Sequence, residues 1–252
     1  MHPSSRLVAL CALGLVAGCA FNEPMGPPPE RGSTRARLPA PEPPAPGTEP
    51  ASTVDPAVAE GPLASEAIET LPVKGRAPKT GYSREAFGPA WADIDGNRCD
   101  TRNDILQRDL TEITVKAGAW ACVVLEGLLL DPYSGDEMYF LLGTEASAQI
   151  HIDHVVSLSN AWQTGMFQRS PEERLIFAND PLNLLAVDGS LNMQKSDGDT
   201  ATWLPPLKSY RCEFAARQIA VKVEYELWLT PPEKEAMLRV LTACPGQVLP
   251  TR

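Results

Sequence analysis

The chain has 252 residues, with 22 Lys+Arg against 32 Asp+Glu, a formal net charge of −10 and 43% hydrophobic residues. From residue 78 onward there are 16 basic against 24 acidic side chains, a net of −8. That balance counts against simple affinity for nucleic acid, since phosphate neutralisation supplies most non-specific affinity, and leaves room only for a local basic groove within an acidic remainder or for acids grouped around a metal.

In chain order, Arg6 opens a short positive start, Leu7 to Gly14 is apolar, and Val16-Ala17-Gly18-Cys19 reads as a lipobox. The apolar stretch is too short to span a bilayer, so residues 1–18 are expected to be a cleaved lipoprotein signal peptide. An ordinary secretory signal is the lesser alternative. Cys19 then becomes the lipidated first residue, and the protein sits as a lipoprotein on the outer face of a membrane of the bacterial cell envelope, anchored without crossing it. Residues 19–77 are expected to be a disordered linker, because thirteen prolines fall between Ala20 and Ala77 and such a segment buries too little apolar surface to offset its ordering entropy.

Residues 78–252 are long enough for one domain with a core. Strands are expected at Glu112–Lys116, Ala121–Leu130 and Glu137–Leu142, with a turn at 131–135. Ile150–Val156 reads as a short strand, and Leu184–Val187 as another. Ser170-Pro171-Glu172-Glu173 and Thr230-Pro231-Pro232-Glu233 are capping boxes that start helices. An apolar stripe from Ala215 through Ile219, Ala220, Val223 and Leu227 recurs at helical spacing. The class is α+β.

Six cysteines are present. Cys11 leaves with the signal and Cys19 is the anchor, so Cys99, Cys122, Cys212 and Cys244 remain for two disulfides in an oxidising compartment. Three pairings exist, and Cys99–Cys122 with Cys212–Cys244 is favoured. The second follows from two antiparallel helices of roughly 24 and 20 Å at 1.5 Å per residue, which return Cys244 to Cys212. No C-x-x-C pair is present, which sets structural zinc aside.

Asp153-His154, then Asn183, then Asn192 and Lys195, carry the chemistry. Phosphodiester hydrolysis needs a base to take a proton from water and a cation to stabilise the leaving oxygen. Neutral imidazole suits the first task, and one Mg²⁺ or Mn²⁺ held by one or two protein oxygens suits the second. Adjacent strand residues face opposite sides, so a bend or bulge at the end of the strand is expected to bring Asp153 and His154 together. Asn192 and Lys195, three apart, share one face of a short helix.

This pattern resembles the HNH (ββα-metal) endonucleases, in a secreted or lipoprotein branch related to the GmrSD-type C-terminal nuclease domain. The resemblance runs from about Gly81 to Leu241 and rests on Tyr82-Ser83-Arg84, Phe87-Gly88, Trp91-Ala92-Asp93, Cys99-Asp100-Thr101-Arg102, Phe177-Ala178-Asn179-Asp180-Pro181-Leu182-Asn183-Leu184, Trp203-Leu204-Pro205-Pro206 and Lys208-Ser209-Tyr210-Arg211-Cys212. It implies a ββα-metal motif embedded in a larger disulfide-tied domain. It further implies His154 as general base, Asp153 and Asn192 as ligands of a divalent ion, Asn183 as support of the loop, and Lys195 near the scissile phosphate. Arg102, Lys208 and Arg211 are candidate substrate contacts.

Weaker features are His151, on the strand face of Asp153, where a partly exposed strand residue is favoured over a second ligand or a group shaping the metal's surroundings; Trp203 as packing; and Asp93-Ile94-Asp95-Gly96-Asn97. That last segment is similar to a calcium loop but lacks its turn glycine and final glutamate. The expected function is a monomeric, metal-dependent endonuclease acting on DNA or RNA. The alternative is a catalytically silent envelope lipoprotein that binds a wall or envelope partner through the same scaffold.

Overall fold

The computed structural model describes residues 61–118 and 120–251. The signal peptide, Cys19 and residues 19–60 of the expected linker lie outside the described residues.

The described chain is α+β. Its elements run α1 (Ala64–Thr70), α2 (Thr101–Asp109), β1 (Leu110–Val115), β2 (Val124–Leu130), β3 (Glu137–Leu141), α3 (Glu145–Gln149), β4 (Ile150–His154), α4 (Leu158–Gln163), α5 (Pro171–Asn179), β5 (Leu184–Asp188), α6 (Gly189–Lys195), α7 (Arg211–Glu224) and α8 (Pro231–Leu241). Strands β1, β2 and β3 form an antiparallel sheet in that order, while β4 and β5 form a separate antiparallel pair.

The folded region begins earlier than composition suggests. Ala64, Ala67, Ile68 and Leu71 are buried with Ala216, Ile219, Leu229, Met237 and Leu241 of the α7–α8 region. Their spacing of 0, 3, 4 and 7 is one helical face, and that apolar stripe overrides the proline-rich surroundings. Backbone hydrogen bonds tie the segment down at both ends, from Ala64 N–H to the Gln247 carbonyl (2.8 Å) and from Leu229 N–H to the Pro72 carbonyl (2.9 Å). Residues 61–77 therefore belong to the folded unit and are not linker.

Local chemistry sets the helix starts. Ser170 and Thr230 both close capping boxes, with Glu173 and Glu233 reaching back to the cap N–H. Asp100 caps α2 by accepting from Asn103 N–H, which satisfies one of the orphan donors of a first turn. Both disulfides, Cys99–Cys122 and Cys212–Cys244, are formed. A buried ammonium, Lys222 Nζ on α7, bonds Glu233 Oε2 on α8 (3.1 Å), the Trp228 carbonyl (3.1 Å) and Asn160 Oδ1 on α4 (3.2 Å). These three helices are thus joined at one polar point inside an apolar shell.

The β4–β5 pair lies between two cores. Ile150, Ile152, Leu184 and Ala186 face the core shared with Ile105, Leu106, Val124 and Phe140. Leu185 and Val187 face Tyr133, Val155 and Phe214. With both faces covered, an apolar run without alternation is what the strand requires, and β5 reads Leu-Leu-Ala-Val. Arg108 at the end of α2 donates to the Pro181 and Leu184 carbonyls (2.7 and 2.6 Å), and Asp109 accepts from Ala186 N–H (2.8 Å). Helix α2 thereby clamps the edge of β5.

Candidate active site

Strand β5 runs straight into α6. Asp188 ends the strand and caps the helix, accepting from Ser190 N–H (2.6 Å) and Leu191 N–H (3.0 Å). Gly189 opens α6 where a Cβ would lie 2.7 Å from His151 Nε2, so the missing side chain lets the helix seat against β4 without displacing the His151 ring. The side chain of Asn192 then comes to 3.4 Å from His151 Nδ1. His151 is a neighbour of the site through this contact.

The expected bend in β4 is absent. The register is unbroken from Ile150 opposite Asp188 to His154 opposite Leu184, so Asp153 and His154 leave the strand on opposite faces. They meet differently. Strand β4 ends at the wall of a cleft of about 580 Å³, and Asp153, His154 and Asn192 all line it, with Arg84 and Met193.

His154 is buried, and its Nε2 lies 2.8 Å from the Ala178 carbonyl. A carbonyl can only accept, so Nε2 carries the proton and Nδ1 is left as the basic nitrogen. Burial pushes the imidazole pKa down to about 4; the Ala178 bond and the Asp153 charge oppose that shift without cancelling it. The ring is therefore neutral near pH 7.

Asp153 is held from behind. Lys195 Nζ sits 2.9 Å from both carboxylate oxygens, and Tyr133 Oη–H donates to Oδ2 at 2.5 Å. The Lys195 and Asp153 side chains are 0% and 5% exposed, and Lys195 also donates to the His154 carbonyl (2.9 Å). Lys195 was expected beside a scissile phosphate; the structure places its ammonium inside, on Asp153. It shares a helix with Asn192, yet only Asn192 turns to the cleft. Burial and the Asp153 charge raise the Tyr133 phenol pKa well above its usual value, so it stays a donor.

Tyr133 comes from the β2–β3 turn. Asp131 fixes that turn, with Oδ2 accepting from Ser134 N–H and Oγ–H (both 2.7 Å) and Oδ1 accepting from Asp188 N–H (2.9 Å). Trp203 packs edge-on to Tyr133 at 5.0 Å, a packing role. Asn183, fully buried, pins the segment after β4, since its Oδ1 accepts from Val156 N–H (2.8 Å) and its Nδ2 donates to the Val156 carbonyl (3.2 Å).

Three candidates are not brought to the cleft. Arg102 lies on α2, where desolvation lowers its pKa. Lys208 and Arg211 line a different cavity with Thr200, Leu204 and Ala236, and Arg211 Nε donates to the Pro205 carbonyl (2.8 Å). Their charge is directed to the α7–α8 side. In the segment Asp93–Asn97 the Asp93 carboxylate already accepts Gly96 and Arg98 N–H, as in an ordinary polar loop. Sequence reasoning missed Arg84, Trp91 and Tyr133. Arg84 and Trp91 stand in the segments that carry the resemblance, and nothing local marks Tyr133.

Among the described residues no group of three or more His, Cys, Asp or Glu could hold a metal ion. A hard cation such as Mg²⁺ does not require such a cage, because it keeps several waters and takes one or two protein oxygens plus phosphate. Asp153 has two oxygens with about four lone-pair directions, of which Lys195 and Tyr133 occupy three. One direction remains, together with the Asn192 amide oxygen. Asp153 and Asn192 are the oxygen donors lining the cleft that could serve such an ion.

No helix among the described residues is long and apolar enough to cross a membrane. No solved structure matches the chain. A protein of Arthroderma benhamiae described as an uncharacterized secreted protein is 36% identical over 208 residues, covering 82% of this chain and 92% of the relative. The family model of the GmrSD restriction endonuclease C-terminal domain matches residues 100–240, a span that runs from the cap of α2 through α8 and takes in Tyr133, β4, β5 and α6. With Asp153, His154, Asn183 and Asn192 all inside that match, the chain belongs to the GmrSD restriction endonuclease C-terminal domain family, whose description points to nuclease-type function.

Proposed function

We propose that the protein is an extracytoplasmic, metal-dependent endonuclease of the HNH type that hydrolyses phosphodiester bonds of DNA or RNA. The observation that carries this reading is the His154 imidazole, with Nε2–H committed to the Ala178 carbonyl and Nδ1 left basic, at a cleft it shares with Asp153 and Asn192. The order β4, β5, α6 supports reading these elements as a ββα-metal motif.

In this mechanism His154 Nδ1 accepts the proton of the attacking water. Ala178 fixes the ring's tautomer and orientation. Asp153 and Asn192 would hold one Mg²⁺ or Mn²⁺, which when bound neutralises charge on the leaving oxygen. Lys195 and Tyr133 are positioning residues that hold the Asp153 carboxylate in place. Asn183 holds the end of β4 in place.

The location rests on the two disulfides, which suit an oxidising compartment, on the secreted relative, and on the lipobox ending at Cys19. The domain boundaries that follow are a signal peptide over 1–18, a lipidated linker to about residue 60, and the nuclease domain beyond it, as a monomer anchored through lipid.

The test is nicking of supercoiled plasmid with Mg²⁺, Mn²⁺ or EDTA. Wild-type protein should nick with metal and stop in EDTA, and His154→Ala should lose on the order of 10²-fold or more. Near wild-type nicking by His154→Ala, with circular dichroism unchanged, overturns the proposal. One observation favours a second reading as a silent envelope scaffold: Lys195 already neutralises the carboxylate a metal would need. That reading requires no cleavage with any divalent ion.

A further inference from the structure

A second cavity lies on the other side of His154. It measures about 350 Å³ and is lined by Arg84, Phe87, Pro89, Trp91, His154 and Asn179, among others. Arg84 and His154 line both this cavity and the cleft, so the two spaces adjoin. The cavity's size suits a small planar ligand.

Three independent features point to that ligand. The Trp91 ring lies parallel to the imidazole, with a 12° interplanar angle and 6.2 Å between centroids. Its backbone sits at φ 59°, a conformation costly for a bulky residue and kept where the surroundings over-determine it. Asn179 is 1% exposed, and its Nδ2 donates to the Leu175 carbonyl (2.9 Å), while its Oδ1 is buried without a donor. A buried acceptor left unpaired calls for a partner. Arg84 is exposed, and its guanidinium makes no ion pair among the described residues.

We propose that this cavity is a nucleobase subsite, in which Trp91 stacks on an unpaired base, Asn179 Oδ1 accepts a hydrogen bond from an N–H of that base, and Arg84 binds the phosphate at the boundary with the cleft. The proposal rests on the nuclease reading of the cleft and adds a substrate class: single-stranded nucleic acid, or a nucleotide flipped from a duplex. A paired base cannot enter a cavity of this size. Stacking also resolves the charge problem, because a domain with a net charge of −8 from residue 78 onward cannot rely on phosphate neutralisation alone. Base–aromatic stacking attracts without regard to sign.

The experiment uses the full chain in EDTA, so that nothing is cut. Fluorescein-labelled single-stranded DNA, single-stranded RNA and duplex DNA are titrated by anisotropy, with a parallel single strand carrying 2-aminopurine. Binding of single strands in preference to duplex, with quenching of 2-aminopurine, is expected; the DNA and RNA arms show which sugar is preferred. Trp91→Ala should weaken single-strand binding about five- to hundred-fold and abolish the quenching, while Trp91→Phe retains most of both. Arg84→Gln, at an exposed position that leaves the fold untouched, should lower the salt dependence by about one phosphate contact. Equal affinity for duplex and single strand overturns the subsite. So does Trp91→Ala binding within twofold of wild type with quenching intact. Should wild type cleave nothing with any metal while quenching persists and requires Trp91, the nuclease reading falls and the subsite stands.

Discussion

Lys195→Met removes the ammonium from the Asp153 carboxylate and leaves a buried charge with Tyr133 as its main remaining partner. At an effective dielectric constant of about 20, opposite unit charges 2.9 Å apart attract by about 6 kcal/mol. Releasing Lys195 from its own burial returns part of that. The net loss expected for breaking a buried pair on one side is about 3–5 kcal/mol. For a domain of this size, each kcal/mol moves the unfolding midpoint by about 2–4 °C, so a fall of about 6–20 °C is expected in a thermal melt followed by circular dichroism. Asp153→Asn combined with Lys195→Met removes both charges and should recover part of the loss, giving a coupling energy of about 1–3 kcal/mol in the double-mutant cycle. A Lys195→Met midpoint within about 2 °C of wild type, with no coupling to Asp153, would refute the placement of Lys195 inside. It would return that side chain to the cleft as a free cation.

The His154 imidazole has a folded pKa of about 4 against 6.5 when free, so the unfolded chain binds the proton more readily. Its contribution to stability is complete above about pH 6.5 and is lost as pH falls from there to 4, by about 3 kcal/mol. Urea denaturation between pH 7 and 4 should show this slope in wild type and a flatter one in His154→Ala; parallel slopes would contradict it. Cys212 and Cys244 close a loop with a sequence separation of 32. Replacing both by serine should cost about 3–4 kcal/mol by the chain-entropy relation, read as a lower urea midpoint under oxidising conditions, whereas unchanged stability would show that α7–α8 packing alone holds the region.

Local patterns in the chain were sufficient for much of this protein. Proline with glutamate two or three residues after Ser170 and Thr230 started α5 and α8, because a cap needs only its own neighbours. The Ile150-His151-Ile152 segment marked β4, and the unbroken apolar run from Leu184 to Val187 marked β5. The spacing of Asp153, His154, Asn183 and Asn192 pointed to a candidate site, and the fold brings Asp153, His154 and Asn192 to one cleft. Helix α1 was legible in principle from Ala64, Ala67, Ile68 and Leu71, but proline density around it masked a seven-residue signal.

Tertiary structure decided the rest. No local pattern says that Tyr133, from a turn twenty residues before Asp153, supplies its hydrogen bond, or that Lys195 turns inward while Asn192 faces the cleft. Nor does any pattern say that Lys208 and Arg211 face another cavity while Arg84 takes the position between two. Local sequence governs caps and periodicity because those depend on residues within one helical turn. Burial, ion pairing and the depressed His154 pKa depend on which distant segments close over a side chain, and only the packed chain determines that.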